Sequence, residues 1–416
     1  MADRSLSDKL KSLGVRIGAR DLPPPRPRPR SHPRPNYPIE GVVPGQLRDT
    51  SHGQACVVET WYPAGYRYGT TTLQVTAPLE VLAGWARDTR LADLDPGRFA
   101  FLDTETSGLS GGTGTYAFMV GVGCYGDQGF RLAQFFMRDP VEEPALLQAL
   151  SDFLQGLEGL VTFNGKAFDV PLLNTRYTLN GMPSPLARMA HVDLLALARR
   201  LWRRRLASRA LGCLETHILE ITRTQEDVPG WYIPQMYFEY LRTGDARPLK
   251  GIFYHNAMDI LSLAALLNHV AHLLDDPLSG GIEHGLDLVD LGNLFEDLGD
   301  WDTASHLYDL GMNRNLPVEV RDQTIQRLAV LQRRRGNLLA AVELWHQAAG
   351  ENHVYAHVEL AKYYEHRTRD YGRAAGWTQT AVELVKAPGF PRYDRRRWLP
   401  ELEHRLNRLH RKLGRT

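Results

Sequence analysis

The sequence predicts a mixed α/β sheet domain followed by an all-helical repeat domain. Two observations carry that expectation. Three strand-like segments follow one another from Arg98 to Asp139, and helix-like and strand-like segments then alternate, the order that builds a mixed sheet. Beyond Pro277 the strands cease and one helical pattern recurs three times. With 416 residues, 43% hydrophobic and 23% charged, the chain can bury two or three cores.

The N-terminal part divides by composition. Residues 1–40 contain LPPPRPRPRSHPRPNYP, where Pro removes backbone donors and Arg supplies charge without an apolar face; this reads as a disordered basic segment. From 41 to 96, ACVVETWY and TTTLQV read as short strands of a small β extension packed against the domain that begins near residue 97.

The segment 97–277 reads as the chemical domain. RFAFLDTETSG is an apolar strand ending in acids; TYAFMVGVGCYG and FRLAQFFMRD are two further strands. EEPALLQALSDFLQGL has helical spacing, followed by the strand GLVTFNG, the helix DVPLLNTRYTLNG and a short strand near HVDLL. Helices then run through LGCLETHILEI and PQMYFEYLRTG to the long apolar stretch Arg247–Leu274.

From 278 to 416, three segments align by Leu291, Leu328 and Leu360 and by Ala304, Ala341 and Ala374, with Tyr308 or Trp345 four after the alanine. A small residue where helices cross, with an aromatic one turn on, is the packing pattern of helix-turn-helix repeats. Any helical hairpin bundle would show similar apolar spacing.

Bulk composition excludes several classes. A formal net charge of +1 gives no global attraction for nucleic acid, so any such site is a local patch. Cys56, Cys124 and Cys213 are far apart and form no zinc or disulfide pattern. The charged N-terminus and the lack of an uninterrupted membrane-length apolar run point to a cytoplasmic protein with no membrane partner.

Asp103 and Glu105 lie two apart on a strand and so share a face. Two acids there repel, a cost that a divalent cation would reverse, although acidic residues at a solvated turn are common. Asp169 follows the strand LVTFNG, and Asp259 lies near the start of the long helix. Four carboxylates gathered at strand ends suit two cations about 3.5–4 Å apart. Oxygen donors favour Mg²⁺ or Mn²⁺ over zinc.

DTET at 103–106, the stretch from Asn164 through Phe168, Asp169 and Pro171 to Leu173, and His255 to Asp259 resemble the three motifs of DEDD 3′–5′ exonucleases of the ribonuclease H-like fold. The likeness is greatest to the YprB-like group, with tetratricopeptide (TPR)-like repeats after the nuclease domain, and it covers about 97–416. The resemblance implies Asp103, Glu105, Asp169 and Asp259 as metal ligands for two Mg²⁺ or Mn²⁺ ions. It also implies single-stranded DNA or RNA as substrate, and Thr106, Asn164 and Lys166 as substrate-binding residues. A protein partner would be held by the repeats. The alternative is a nucleic-acid-binding or scaffold protein that acts through the repeats and has lost turnover. An endonuclease on the same fold is disfavoured by NGKAFD.

The third motif departs from the commoner patterns, with Tyr254 five and His255 four residues before Asp259. Four residues make about one helical turn, so His255 shares a face with Asp259 and Tyr254 is rotated away. His255 is therefore the expected proton acceptor, against the plainer role of a hydrogen-bonding residue at a helix start. The loop glycines Gly111, Gly112 and Gly114 suit either phosphate approach or a turn. Asp193 suits a peripheral acid or a helix N-cap. The run Arg199, Arg200, Arg203, Arg204 and Arg205 reads as a basic band on a helix that either guides a strand or is simply solvated.

All four acids precede Pro277, so the chemical domain is expected to work without the repeats unless GLDLVDLGNLFEDLG covers its apolar surface.

Overall fold

The computed structural model describes residues 37–108, 114–279 and 281–414. Most of the basic N-terminal segment, together with Gly111 and Gly112, lies outside them.

A seven-stranded sheet is built from β1 (Gly45–Thr50), β2 (Gly53–Pro63), β5 (Phe99–Thr106), β6 (Ala117–Gly126), β7 (Gly129–Phe136), β8 (Gly159–Thr162) and β9 (Ala190–Asp193); a two-residue ribbon, β3 (Arg67–Tyr68) and β4 (Thr71–Thr72), stands apart. The order across the sheet is β1-β2-β7-β6-β5-β8-β9. β5, β6 and β7 pair antiparallel, whereas β5–β8 and β8–β9 pair parallel. This is the mixed α/β arrangement expected of a ribonuclease H-like fold. The segment 41–96 departs from its expectation in its first part: β2 pairs with β7 from Cys56 opposite Phe136 to Pro63 opposite Gly129, so it continues the sheet, while Leu73, Val75, Leu79 and Leu82 pack on the sheet's face as expected. ACVV is buried, and an apolar strand gains more by pairing with the open edge of β7 than by resting on a face.

Among the described residues, six helices of about two turns or more cover this half, besides the short helix Leu211–Leu214: α1 (Glu80–Ala86), α2 (Glu143–Phe153), α3 (Asp169–Leu179), α4 (Leu194–Leu201), α5 (Ile233–Thr243) and α6 (Lys250–Asp275). Side chains of β5 alternate between two cores. Ala100 and Leu102 face the core with α2, α3 and α5, while Phe99 and Phe101 face the core with α1, α4 and α6. α6 is apolar almost all round because it is buried on nearly every side.

Seven helices follow: α7 (Gly285–Leu298), α8 (Trp301–Met312), α9 (Val318–Arg334), α10 (Leu338–Gly350), α11 (Val354–Tyr363), α12 (Tyr371–Lys386) and α13 (Arg392–Leu413). The aligned positions Leu291, Leu328, Leu360, Ala304, Ala341 and Ala374 are all buried. At Gly292 an added Cβ would come within 2.7 Å of the Tyr308 ring, so glycine is needed for α7 to meet α8.

α7 is not separate from the sheet domain. Leu288, Val289, Leu291, Leu294 and Phe295 share one core with α4 and α6. Three of the five arginines of the predicted basic band have a third role. α4 ends at Leu201, Arg199 and Arg203 stay exposed, and Arg200, Arg204 and Arg205 pair with Asp297, Asp290 and Asp287 of α7. We therefore expect a fragment ending at 277 to expose this apolar face and aggregate, and one ending at 314, which keeps α7 and α8, to be the more soluble. Light scattering on the two fragments compares them.

The last helix is fastened by a buried acid. Glu365 sits in a wide turn, Tyr364–Thr368, and receives Arg405, Arg408 and Lys412 of α13 at 2.8, 2.8 and 2.9 Å. Burial by itself raises its pKa, but the hydrogen bonds and charges of Arg408 and Lys412 prevail and lower it to about 2. A carboxylate with a depressed folded pKa contributes stability above its unfolded value of 4.5, and that stability is lost as pH falls through about 2. Glu365→Gln should loosen α13 by on the order of 2–3 kcal/mol at pH 7. Hydrogen exchange of α13 amides checks this, and the gap to the unmodified protein should close between pH 5 and pH 2.

Candidate active site

Asp103 and Glu105 project from the same face of β5, the strand between antiparallel β6 and parallel β8. Opposite Asp103 in β6 stands Gly121, where an added Cβ would lie 2.1 Å from Asn256 Oδ1 of α6. At Gly123 it would lie 2.3 Å from Phe130 and 2.7 Å from Ile260. The VGVG run of β6 thus lets α6 lie directly on the sheet. That approach brings Asn256 to Asp103, with Nδ2 donating to Oδ2 at 3.0 Å. Gln134 of β7 donates to Asn256 Oδ1 at 3.1 Å and so sets the orientation of the amide.

Asp169 is the first residue of α3 and accepts from Thr104 Oγ1 at 2.5 Å. Asp259 of α6 comes within 4.8 Å of Glu105 of β5, ligand atom to ligand atom. Glu105 and Asp169 are buried, and the pKa values of all four carboxyls are raised. For Asp103, burial is the main cause, followed by the charges of Asp259, Glu105 and Asp169. For Glu105 it is burial and then Asp259 and Asp169. At Asp169 burial outweighs the Thr104 hydrogen bond, and at Asp259 burial outweighs Arg223 and His255. The other three predicted acids thus lie close enough for their charges to act on Asp103.

His255 lies beside two of these acids. Its Nδ1 is 2.7 Å from Asp227 Oδ1 and its Nε2 is 3.6 Å from Asp259 Oδ2. Ligand atoms of Glu105, His255 and Asp259 all lie within 4.8 Å of one another. Tyr254 points away, its hydroxyl oxygen accepting from the Thr224 amide at 3.0 Å.

The other predicted positions lie at the ends of β5 and β9 or in the loops that follow β5 and β8. Asn164 adopts a left-handed conformation, φ 67°, directly after β8. Its amide and that of Lys166 donate to Asp193 at 2.8 and 3.2 Å, while Asp193 also caps α4 through Leu195 N–H at 3.1 Å. Asp193 is thus the N-cap, and it ties down the loop that precedes Asp169. The Lys166 side chain is exposed, and Thr106 donates to Gly108 O at 2.9 Å. Gly114 is exposed.

Four residues of the site were missed by sequence reasoning: Arg223, Glu215, Asp227 and Asn256. Arg223 donates to Glu215 at 2.8 and 2.5 Å and also to Asp259. Glu215 is buried and in turn accepts from Ser262 at 2.6 Å. Arg223 and Asp227 lie in ITRTQEDVPG, an irregular segment without periodicity that could have flagged them. Asn256 carried a usable signal, since it precedes Asp259 by three on one helix.

Raised carboxyl pKa values mean that the folded chain, without cations, loses stability as pH rises from the unfolded value of 3.8. Asp103→Asn should therefore raise the melting temperature in chelator at pH 8 by about 2–4 °C. Thermal scans should show that gain shrinking toward pH 4.

Comparison with known proteins gives three likenesses. Residues 100–271 match the RNase_H superfamily. The uncharacterized protein YprB of Bacillus subtilis (strain 168) is 31% identical over 329 residues, covering 77% of this chain and 78% of that protein. The family B DNA polymerase of the hyperthermophilic archaeon Pyrobaculum calidifontis aligns with a TM-score of 0.31 at 18% identity, over 49% of this chain and 30% of the polymerase, a likeness too slight to carry weight.

Proposed function

Because the chain belongs to the YprB-like family and carries a ribonuclease H superfamily domain, we propose that it is a metal-dependent nuclease, and more narrowly a DEDD-type 3′–5′ exonuclease acting on single-stranded DNA or RNA ends. One observation carries this reading: Asp259, Glu105 and Asp169 lie close enough to Asp103 to raise the cost of ionising it, and Asp259 and Asp169 do the same to Glu105. Folds pay such a cost where a cation is to be bound.

The donor set fits hard divalent cations. Four carboxylates supply only oxygen, and Asn256 and Thr104 orient two of them by hydrogen bonds. Mg²⁺ or Mn²⁺ held by the four acids would supply Lewis acidity and positive charge for in-line phosphodiester hydrolysis.

The remaining groups are the protein's own. Lys166, exposed three residues before Asp169, can meet a backbone phosphate as a point charge. Asn164 extends from a loop fixed by Asp193 and can orient the substrate backbone. His255 turns Nε2 toward Asp259, from where it can accept a proton or hold a cation. Arg223 keeps buried Glu215 neutralised and steadies Asp259. The helical repeats beyond Pro277 serve as a TPR-like surface for a protein partner or a longer substrate.

The test is cleavage of 5′-labelled single-stranded DNA and RNA with Mn²⁺, Mg²⁺ or chelator. Ladders shortening from the 3′ end are expected with metal only, and Asp103→Asn or Asp259→Asn should reduce the rate below detection while the circular dichroism spectrum is unchanged. Undiminished cleavage by Asp103→Asn would refute the proposal.

A further inference from the structure

The acidic cluster contains one nitrogen donor, and its surroundings fix which nitrogen faces the acids. His255 Nδ1 lies 2.7 Å from Asp227 Oδ1. An ionised carboxylate only accepts, and its 2.7 Å contact is much shorter than the 3.4 Å from Nδ1 to the donor Arg223 Nη1, so the carboxylate sets the tautomer: Nδ1 carries the proton and Nε2 keeps its lone pair. Nε2 is directed at Asp259 Oδ2, 3.6 Å away, beyond hydrogen-bond length. Arg223 binds the other oxygen of Asp259, Oδ1, leaving Oδ2 for this space. Glu105 completes the group, with the three ligand atoms mutually within 4.8 Å. When ionised, three acceptors facing one another repel, and a cation is what such a space accommodates. The carboxylate behind the imidazole is the usual means of holding a metal-binding histidine in one tautomer and raising its basicity.

We infer that His255 Nε2 is itself a ligand, with Glu105 and Asp259, of one of the cations, and that Asp227 is its positioning residue. This rests on the metal-dependent nuclease reading and changes one part of it. A lone pair given to a cation is not available to accept a proton, so the protein's proton acceptor is not His255 while that ion is bound. The ligand set also alters selectivity. Imidazole is a poorer partner for Mg²⁺ than for Mn²⁺, and a better one still for later first-row ions, so the site of Glu105, His255 and Asp259 should prefer Mn²⁺ over Mg²⁺. A set of four carboxylates alone gives less reason for that preference.

The test uses the full chain loaded with Mn²⁺ and pulsed electron paramagnetic resonance, which detects a directly bound nitrogen without any need for turnover. The expected spectrum shows coupling to one imidazole ¹⁴N, converting to the ¹⁵N pattern when histidine is ¹⁵N-labelled. His255→Gln should abolish the coupling and weaken Mn²⁺ binding more than Mg²⁺ binding. Asp227→Asn should keep the coupling but weaken Mn²⁺ about 10–100-fold. Absence of nitrogen coupling in the unsubstituted protein overturns the inference, and that measurement does not depend on any variant folding. Cleavage of single strands without nitrogen coupling would overturn only this assignment. Nitrogen coupling in a protein that cleaves neither DNA nor RNA with any metal would uphold the ligand and refute the nuclease reading.

Discussion

The close approach of α6 to β5 and β6 is the constraint on which the site depends. Gly121 and Gly123 leave no side chain between strand and helix, and an added Cβ at either would meet α6 within 2.7 Å. The helix can then present Asn256, His255 and Asp259 to a strand that presents Asp103 and Glu105. α6 is buried on almost every side, which fixes it in position and explains an apolarity that would otherwise suit a membrane.

Crowding negative charge at that contact has to be offset. Arg223 supplies part of the balance, shared between Asp259 and the buried Glu215, and Glu215 is tied through Ser262 to the Tyr68 hydroxyl at 3.1 Å. This chain of polar contacts connects the β3–β4 ribbon to the acids. It also gives an irregular segment, Ile221–Gly230, a fixed place beside the site, where it contributes Asp227 to His255. Such a network is strong when every member is paired and costly when one is lost.

A second balance of charge joins the two halves. Arg200, Arg204 and Arg205 meet Asp297, Asp290 and Asp287 around the apolar contact of α4 and α6 with α7. Apolar burial supplies the driving force, and the charges at its margin specify orientation, since partly exposed ion pairs contribute little energy of their own. The helical half is therefore continuous with the core behind the site, and a motion of α7 would be felt by α6.

Much of this was legible in the residues alone. Strand periodicity located β5 through β9, and the i, i+2 spacing of Asp103 and Glu105 and the i, i+4 spacing of His255 and Asp259 determined which side chains share a face. Local geometry dictates these relations, so no tertiary information was required. The repeat alignment located buried leucines and alanines for the same reason. Other features were decided by the tertiary structure. Pairing of β2 with β7 depends on which edge lies open after the sheet assembles, and ACVVETWY is compatible with either outcome. The arginine run has one sequence and three possible meanings, and only the acids of α7, more than 80 residues on, select one. Arg223 and Asp227 reach the acids from a segment without periodicity, and Glu215 joins them from the helical stretch LGCLETHILEI. Their roles arise from charge compensation across long sequence separations, where a pairing energy exists only once the chain has brought both partners out of water.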